Sequence, residues 1–255
     1  MALAVLMFSC SKDDEPGMNG GAENTSSVVI NADGSTSTGA IFSMLDETTF
    51  FLDYIKYKVV DSHIEVVGYD PIEIAADIRP YAAVTLGGAT YNTRVIADKA
   101  FYQWQNMRNI SIPSSVTTIG NSAFSGCTNL SSITIPNSVT TIGGSAFSGC
   151  TNLSSISIPN SVTTIGSSAF SYCLNLSSIT IPDFVTTIDE YAFYNSGLTD
   201  LYFTGKADIE VLKYLPGGGS FGCLTIHVSK EYYNKVTNNS MVESKRWRII
   251  ADYNP

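Results

Sequence analysis

Between Asn109 and Pro182 the chain contains no Asp, Glu, Lys, Arg or His. General acids, general bases and charged metal ligands cannot come from this stretch, and its hydroxyls have no adjacent base to activate them. Charge is scarce elsewhere too: Asp, Glu, Lys and Arg make up 15% of the 255 residues, against roughly 25% in an average soluble domain. What charge there is leans acidic, 23 against 14, for a formal net charge of −9. A basic footprint for nucleic acid or anionic lipid headgroups is missing. No long hydrophobic run occurs. The apolar run Ala2–Phe8 falls far short of the roughly 20 residues that span a bilayer as a helix. The five cysteines (Cys10, Cys127, Cys150, Cys173, Cys223) are odd in number and thinly spread, unlike the framework of a small disulfide-stapled domain.

What the chain does have is 44% hydrophobic residues, enough for a sizeable core, and a repeat. Ala-Phe pairs end at Phe101, Phe124, Phe147, Phe170 and Phe193, and Ile-Pro pairs end at Pro113, Pro136, Pro159 and Pro182. The period is 23 residues, and a fixed period of this size signals a solenoid. In Leu130-Ser-Ser-Ile-Thr-Ile-Pro136 the apolar positions alternate, which predicts a short strand with Ile133 and Ile135 on one face and Thr134 on the other. Pro136 stops it. Val139, Ile142, Ala146 and Phe147 supply the return path, with Gly143 at a turn. One coil alone cannot offset the backbone entropy of ordering itself, so neighbours must stack and the ends must be capped.

These residues resemble the BspA-like leucine-rich repeats of bacterial surface proteins, through Cys-x-Asn-Leu-x-x-Ile-x-Ile-Pro-x-x-Val-x-x-Ile-Gly-x-x-Ala-Phe. The implied fold is a β-rich solenoid of 23-residue leucine-rich repeats, and the implied role is adhesion to host matrix proteins or other cells. The edges depart from the pattern. Trp104 and Met107 stand where later units have Cys and Leu, Tyr81–Val95 carries an insertion, and the last unit has Asp189 for Gly and Ser196 for Cys. Atypical terminal repeats are expected where a stack meets its caps.

The expected organisation is an array over residues 78–204, an N-terminal β cap over 41–77 and a mixed C-terminal cap over 205–255. Phe50–Tyr69 reads as a hairpin around Asp61-Ser62. Leu224–Val228 reads as one more strand, Lys230–Asn238 as a short helix, Leu215–Gly219 as a loop and Trp247–Ile250 as an apolar lid. Residues 11–40, rich in Gly, Asn, Ser, Thr and Asp and interrupted only by Val28-Val29-Ile30, read as a flexible linker. Residues 1–10 resemble a bacterial lipoprotein signal peptide ending at an acylated Cys10. Ser11-Lys12-Asp13-Asp14-Glu15 resembles the acidic signal that sends lipoproteins of the Bacteroidota to the outer face of the outer membrane. A lipid anchor is the one membrane contact this implies.

Candidate sites follow from register. Cys127, Cys150 and Cys173 should stack as inert buried thiols, since three thiols without a fourth ligand suit zinc poorly and apolar burial disfavours the thiolate. Asn129, Asn152 and Asn175 are expected to be buried side chains that bond loop backbone. His63 and His227 fall in opposite caps, each solvated or hydrogen-bonded there, so no shared metal and no other cofactor is expected. The outward rows of the strands form the candidate binding face: Arg108, Asn109 and Ser111; Ser132 and Thr134; Ser155 and Ser157; Ser178 and Thr180; Asp200 and Tyr202. Hot spots favour Arg and Tyr over small hydroxyls. The expected partner is a protein or glycan on another cell or in the matrix, with no catalysis. The rivals are a passive envelope spacer and, last, a glycan hydrolase whose carboxylates would come from Asp189, Glu190 and Asp200.

Overall fold

The computed structural model describes residues 26–70, 77–204, 224–230, 233 and 248–251. Its core is a parallel β-solenoid in which each coil has three sides.

The first side is the expected strand: β9 (Asn109–Ser111), β11 (Ser132–Thr134), β13 (Ser155–Ser157), β15 (Ser178–Ile181) and β17 (Asp200–Phe203). Ile133 pairs in register with Ile110 and with Ile156, and Ile179 with Leu201. The central Ile or Leu is buried in every rank, and the residues beside it point outward. The side divides into two four-stranded sheets. One runs from β6 (Asp77–Ile78) through β9 and β11 to β13, and the other from β15 through β17 and β18 (Thr225–His227) to β19 (Arg248–Ile250). Each Ile-Pro corner is closed by an amide three residues on, as where Val139 N–H donates to Pro136 O at 3.0 Å.

The second side differs from the expected return path. Thr118–Ile119, Thr141–Ile142, Thr164–Ile165 and Thr187–Ile188 form β10, β12, β14 and β16, a second parallel ladder continuous with β8 (Ala89–Ile96). Two residues are too few to display a period of 2, so alternation cannot reveal these strands in the sequence.

The third side is the Ala-Phe turn, where alternate amides serve different coils. Phe124 N–H donates to Ala146 O of the next coil at 2.8 Å, while Cys127 N–H donates to Phe124 O of its own at 3.1 Å. This needs left-handed backbone at Ser122, Ser145 and Ser168 (φ 54°, 54° and 57°) and again at Gly126, Gly149 and Tyr172 (φ 77°, 73° and 57°). Gly143 answers a different demand. A Cβ there would lie 2.7 Å from the Gly120 carbonyl carbon, so close coil approach, rather than a left-handed turn, requires the glycine.

Inside, identical side chains superimpose. Successive rings from Phe101 to Phe193 lie 5.3, 5.2, 5.4 and 5.6 Å apart, and the Phe124–Phe147 pair is within 2° of parallel. Cys127, Cys150 and Cys173 are fully buried beside them. The asparagine expectation is corrected. Asn129, Asn152 and Asn175 are exposed, with Asn129 Nδ2 donating to Gln105 O at 2.7 Å and Asn152 Nδ2 reaching Asn129 Oδ1 at 3.3 Å. Coil-to-coil amide bonds already satisfy the turn backbone, so no buried side chain is needed there.

At the N-terminal end, β2 (Phe42–Met44), β3 (Thr49–Leu52), β4 (Ile55–Val60) and β5 (His63–Tyr69) form an antiparallel meander. It contains the expected hairpin at Asp61-Ser62, and β5 then joins β8 in parallel. The insertion is the hairpin β7 (Ala83–Leu86) to β8, turned by Gly87-Gly88. Val28-Val29-Ile30 is not an interruption in a linker. It lies in β1 (Ser27–Ile30), which pairs in parallel with β7 and buries Val28 and Ile30. Trp104 takes the cysteine register and is covered by Tyr69, centroids 4.0 Å apart and 2° from parallel.

At the other end, Leu224–Val228 supplies β18 as expected, and Arg248–Ile250 adds β19 against it. Cys10, Cys223, Leu215–Gly219 and Trp247 lie outside the described residues, as does most of Lys230–Asn238. Among the described residues no helix is long and apolar enough to cross a membrane.

Candidate functional site

Alternation along each strand positions the outward rows. With Ile110, Ile133, Ile156, Ile179 and Leu201 buried, their flanking residues must face away from the core. The structure brings the predicted residues together on one side of the solenoid in two ladders: Asn109 beside Ser132 beside Ser155 and Ser111 beside Thr134 beside Ser157 in the first, Ser178 beside Asp200 and Thr180 beside Tyr202 in the second. Ser132, Thr134, Ser155, Ser157 and Ser178 are exposed, and Thr180 is half-buried. Arg108 is exposed at the first rank.

The middle and the ends of this face differ chemically. At the N-terminal end a polar relay runs across coils: Asn109 Nδ2 donates to Asp77 Oδ1 at 2.7 Å, and Ser132 Oγ donates to Asn109 Oδ1 at 3.1 Å. In the middle, Ser155 and Ser157 present hydroxyls to solvent with no charge near in sequence.

At the C-terminal end lies a cluster that sequence reasoning assembled only in part. His227 Nε2 is 2.9 Å from Asp200 Oδ1, Thr199 Oγ1 donates to Asp200 Oδ2 at 2.7 Å, and the His227 ring stacks on Tyr202 at 4.2 Å. The hydrogen bond from His227, then that from Thr199, hold the Asp200 carboxyl below its ordinary range. His227 comes from β18, beyond residue 204, where the 23-residue register gives no guide. Both Asp200 oxygens are engaged, and Thr204 Oγ1 bonds Asp183. His63, at the other cap, lies 3.6 Å from Glu65 Oε1.

The thiols are core. Each Sγ donates to a carbonyl of the coil below, Cys127 to Phe101 O at 3.1 Å, Cys150 to Phe124 O at 3.2 Å and Cys173 to Phe147 O at 3.1 Å. Burial pushes Cys127 and Cys173 up to about 12 and raises Cys150 well above its usual value. Among the described residues no group of His, Cys, Asp and Glu is arranged to hold a metal. A cleft of about 1100 Å³ opens in the N-terminal cap, lined by Val29, Phe42, Met44, Leu86 and Glu47 among others.

Sequence reasoning passed over Tyr172, Tyr191 and Tyr194, all exposed on the turn side of the last two complete coils. A signal was there. Tyr172 stands in the register of Gly126 and Gly149, Tyr191 in that of Ser122, Ser145 and Ser168, and Tyr194 in that of Ser125 and Ser148.

Residues 94–212 match the family model of the BspA type leucine rich repeat region, in six copies. This segment is a BspA-type array. Such leucine-rich-repeat proteins are typically found on bacterial cell surfaces. Among solved structures, the array resembles the T. pallidum leucine-rich-repeat protein at 29% identity and a TM-score of 0.54, over 58% of this chain and 68% of that one. A leucine-rich cell surface protein from Faecalibacterium prausnitzii is 28% identical, with a TM-score of 0.49, over 64% of this chain and 50% of that one. The pneumococcal vaccine antigen PcpA shares the fold at 18% identity and a TM-score of 0.56, over 79% of this chain and 49% of its own. Among curated proteins no match is found.

Proposed function

We propose that this protein is a non-catalytic binding module on the bacterial surface, held to the outer membrane by a lipid on Cys10. In this proposal its BspA-type array presents the strand face to a protein or glycan partner on another cell or in the matrix. The observation that carries the proposal is the face itself: strands side by side with exposed hydroxyls at Ser132, Thr134, Ser155, Ser157 and Ser178 and no ionisable group over the three middle ranks. Small hydroxyls on a fixed backbone supply hydrogen bonds at low entropic cost, and Arg108, Asp200 and Tyr202 supply the anchors that small hydroxyls lack. Solenoids use such extended faces for recognition.

The test is a pull-down with displayed protein against matrix proteins, glycans and envelope components. A retained partner whose capture is lost when Arg108, Asp200 and Tyr202 are all replaced, in a variant that still melts cooperatively, supports the proposal. An unchanged capture profile turns the array into a passive spacer. Mass spectrometry of the native N-terminus settles acylation: an unmodified Cys10 removes the anchor.

A further inference from the structure

On the turn side of the last two complete coils, three tyrosines cluster in the open. Tyr172, Tyr191 and Tyr194 are 47%, 59% and 45% exposed. Tyr194 meets both others edge-on, at 5.7 Å and 80° with Tyr172 and at 5.8 Å and 88° with Tyr191. Leu174, 50% exposed, extends the apolar surface.

Nothing in the coil architecture asks for these rings. The same registers carry Gly or Ser in the middle coils, while the first coil has Lys99, Tyr102 and Gln103, and Tyr172 and Tyr191 both hold the left-handed backbone there, at φ 57° and 60°. A β-carbon strains the backbone in that region, and glycine at 172 would remove that strain.

Along the stretch that builds these coils the charge has one sign. From Asn109 to Thr204 the chain has Asp183, Asp189, Glu190 and Asp200 and no Lys, Arg or His. All four acids lie in the last coils. Asp183 and Asp200 are hydrogen-bonded within the chain, while Glu190, directly before Tyr191, is exposed.

We propose that the Tyr172–Tyr191–Tyr194 cluster, with Glu190 beside it, docks an arginine-bearing segment of a partner protein. Tyrosine faces attract cations, a guanidinium stacks flat on a ring while its edge bonds a carboxylate, and aromatic anchors dominate protein interfaces. An uncharged glycan would gain from the rings but nothing from the acids. The surface is separate from the strand face, so it stands or falls independently of the function proposed above.

The test uses the full chain and fluorescein-labelled Gly-Arg-Gly-Arg-Gly-Arg-Gly, read by fluorescence anisotropy at low salt. Tyr191→Ala with Tyr194→Ala should weaken binding about 10-fold. Tyr191→Phe with Tyr194→Phe, which keeps the ring faces, should change it less than about 2-fold. Glu190→Gln should weaken it several-fold, and a lysine version of the peptide should bind less tightly than the arginine one. Glu47→Gln, at the opposite end, removes the same bulk charge and should leave binding unchanged. The proposal is overturned if the double alanine variant, still melting like the parent, binds as the parent does. It is overturned too if Glu47→Gln matches Glu190→Gln, or if a glutamine peptide or an oligosaccharide panel binds at the tyrosines as well as the arginine peptide.

Discussion

The middle of the array and its C-terminal end are wound on the same coil, yet they differ in everything that touches water. In the middle nearly every register position repeats its residue, so Phe124, Phe147 and Phe170 share one environment and Ser132 and Ser155 another. At the end the interior continues, with Phe193 stacked 5.6 Å from Phe170, while outside glycine and serine give way to Tyr172, Tyr191, Tyr194, Asp189 and Glu190. The interior is held constant because stacking is what folds a coil that cannot fold alone. The exterior of a terminal coil escapes that constraint, and chemistry concentrates there.

The largest effect should come from breaking the shared interior. Phe147→Ala removes a fully buried ring stacked on both sides and should destabilise by about 3–5 kcal/mol in urea denaturation. An equal cost is expected for Phe124→Ala, and unequal costs would mean the coils are not equivalent.

The two glycine registers sharpen the same point. Gly143→Ala places a Cβ 2.7 Å from backbone of the coil below and should cost roughly 1–3 kcal/mol. Gly149→Ala meets nothing closer than 3.7 Å but keeps φ at 73°, for about 1–2 kcal/mol.

Alkali should act on the interior through its thiols. Below pH 9 both folded and unfolded thiols keep their protons. As pH rises past the ordinary value of 9.0 the unfolded chain releases them first, and stability falls toward about 12, where Cys127 and Cys173 titrate in the fold. Urea titrations at rising pH should show this decline, reduced in Cys127→Ala with Cys173→Ala, and the native thiols should resist Ellman's reagent at neutral pH.

Acid should act on the end, and least. The Asp200 carboxyl is held low in the fold, so its contribution is present above 3.8 and lost as pH falls below it. A third of its side chain is open to solvent, so Asp200→Asn should cost less than about 1 kcal/mol at neutral pH. A larger loss would make the His227 contact a structural clamp.

How far the molecule was legible follows this division. The array was readable because 23-residue spacing forces residues into register, so the Phe stack, the thiol ladder and the outward rows followed from counting. The Thr141–Ile142 ladder was not, because two residues carry no period. The exposed Asn129 row contradicts expectation because its amide bridges coils on the outside instead of filling the core. β1 was hidden since Val28-Val29-Ile30 is short and its partner, β7, lies 53 to 59 residues away in a segment with no repeat. His227 reaches Asp200 through pairing between β17 and β18 that only tertiary structure defines. The tyrosine cluster was visible as a departure from the repeat, which marks a surface that stacking does not dictate.

The equivalence of interior coils is tested most directly by removing one. Excising Thr128–Cys150 joins Cys127 to Thr151 with the register intact. The account predicts one cooperative urea transition with a smaller m-value, in proportion to the surface lost, and β-sheet circular dichroism retained. A chain that unfolds, aggregates or melts in separate steps would contradict it.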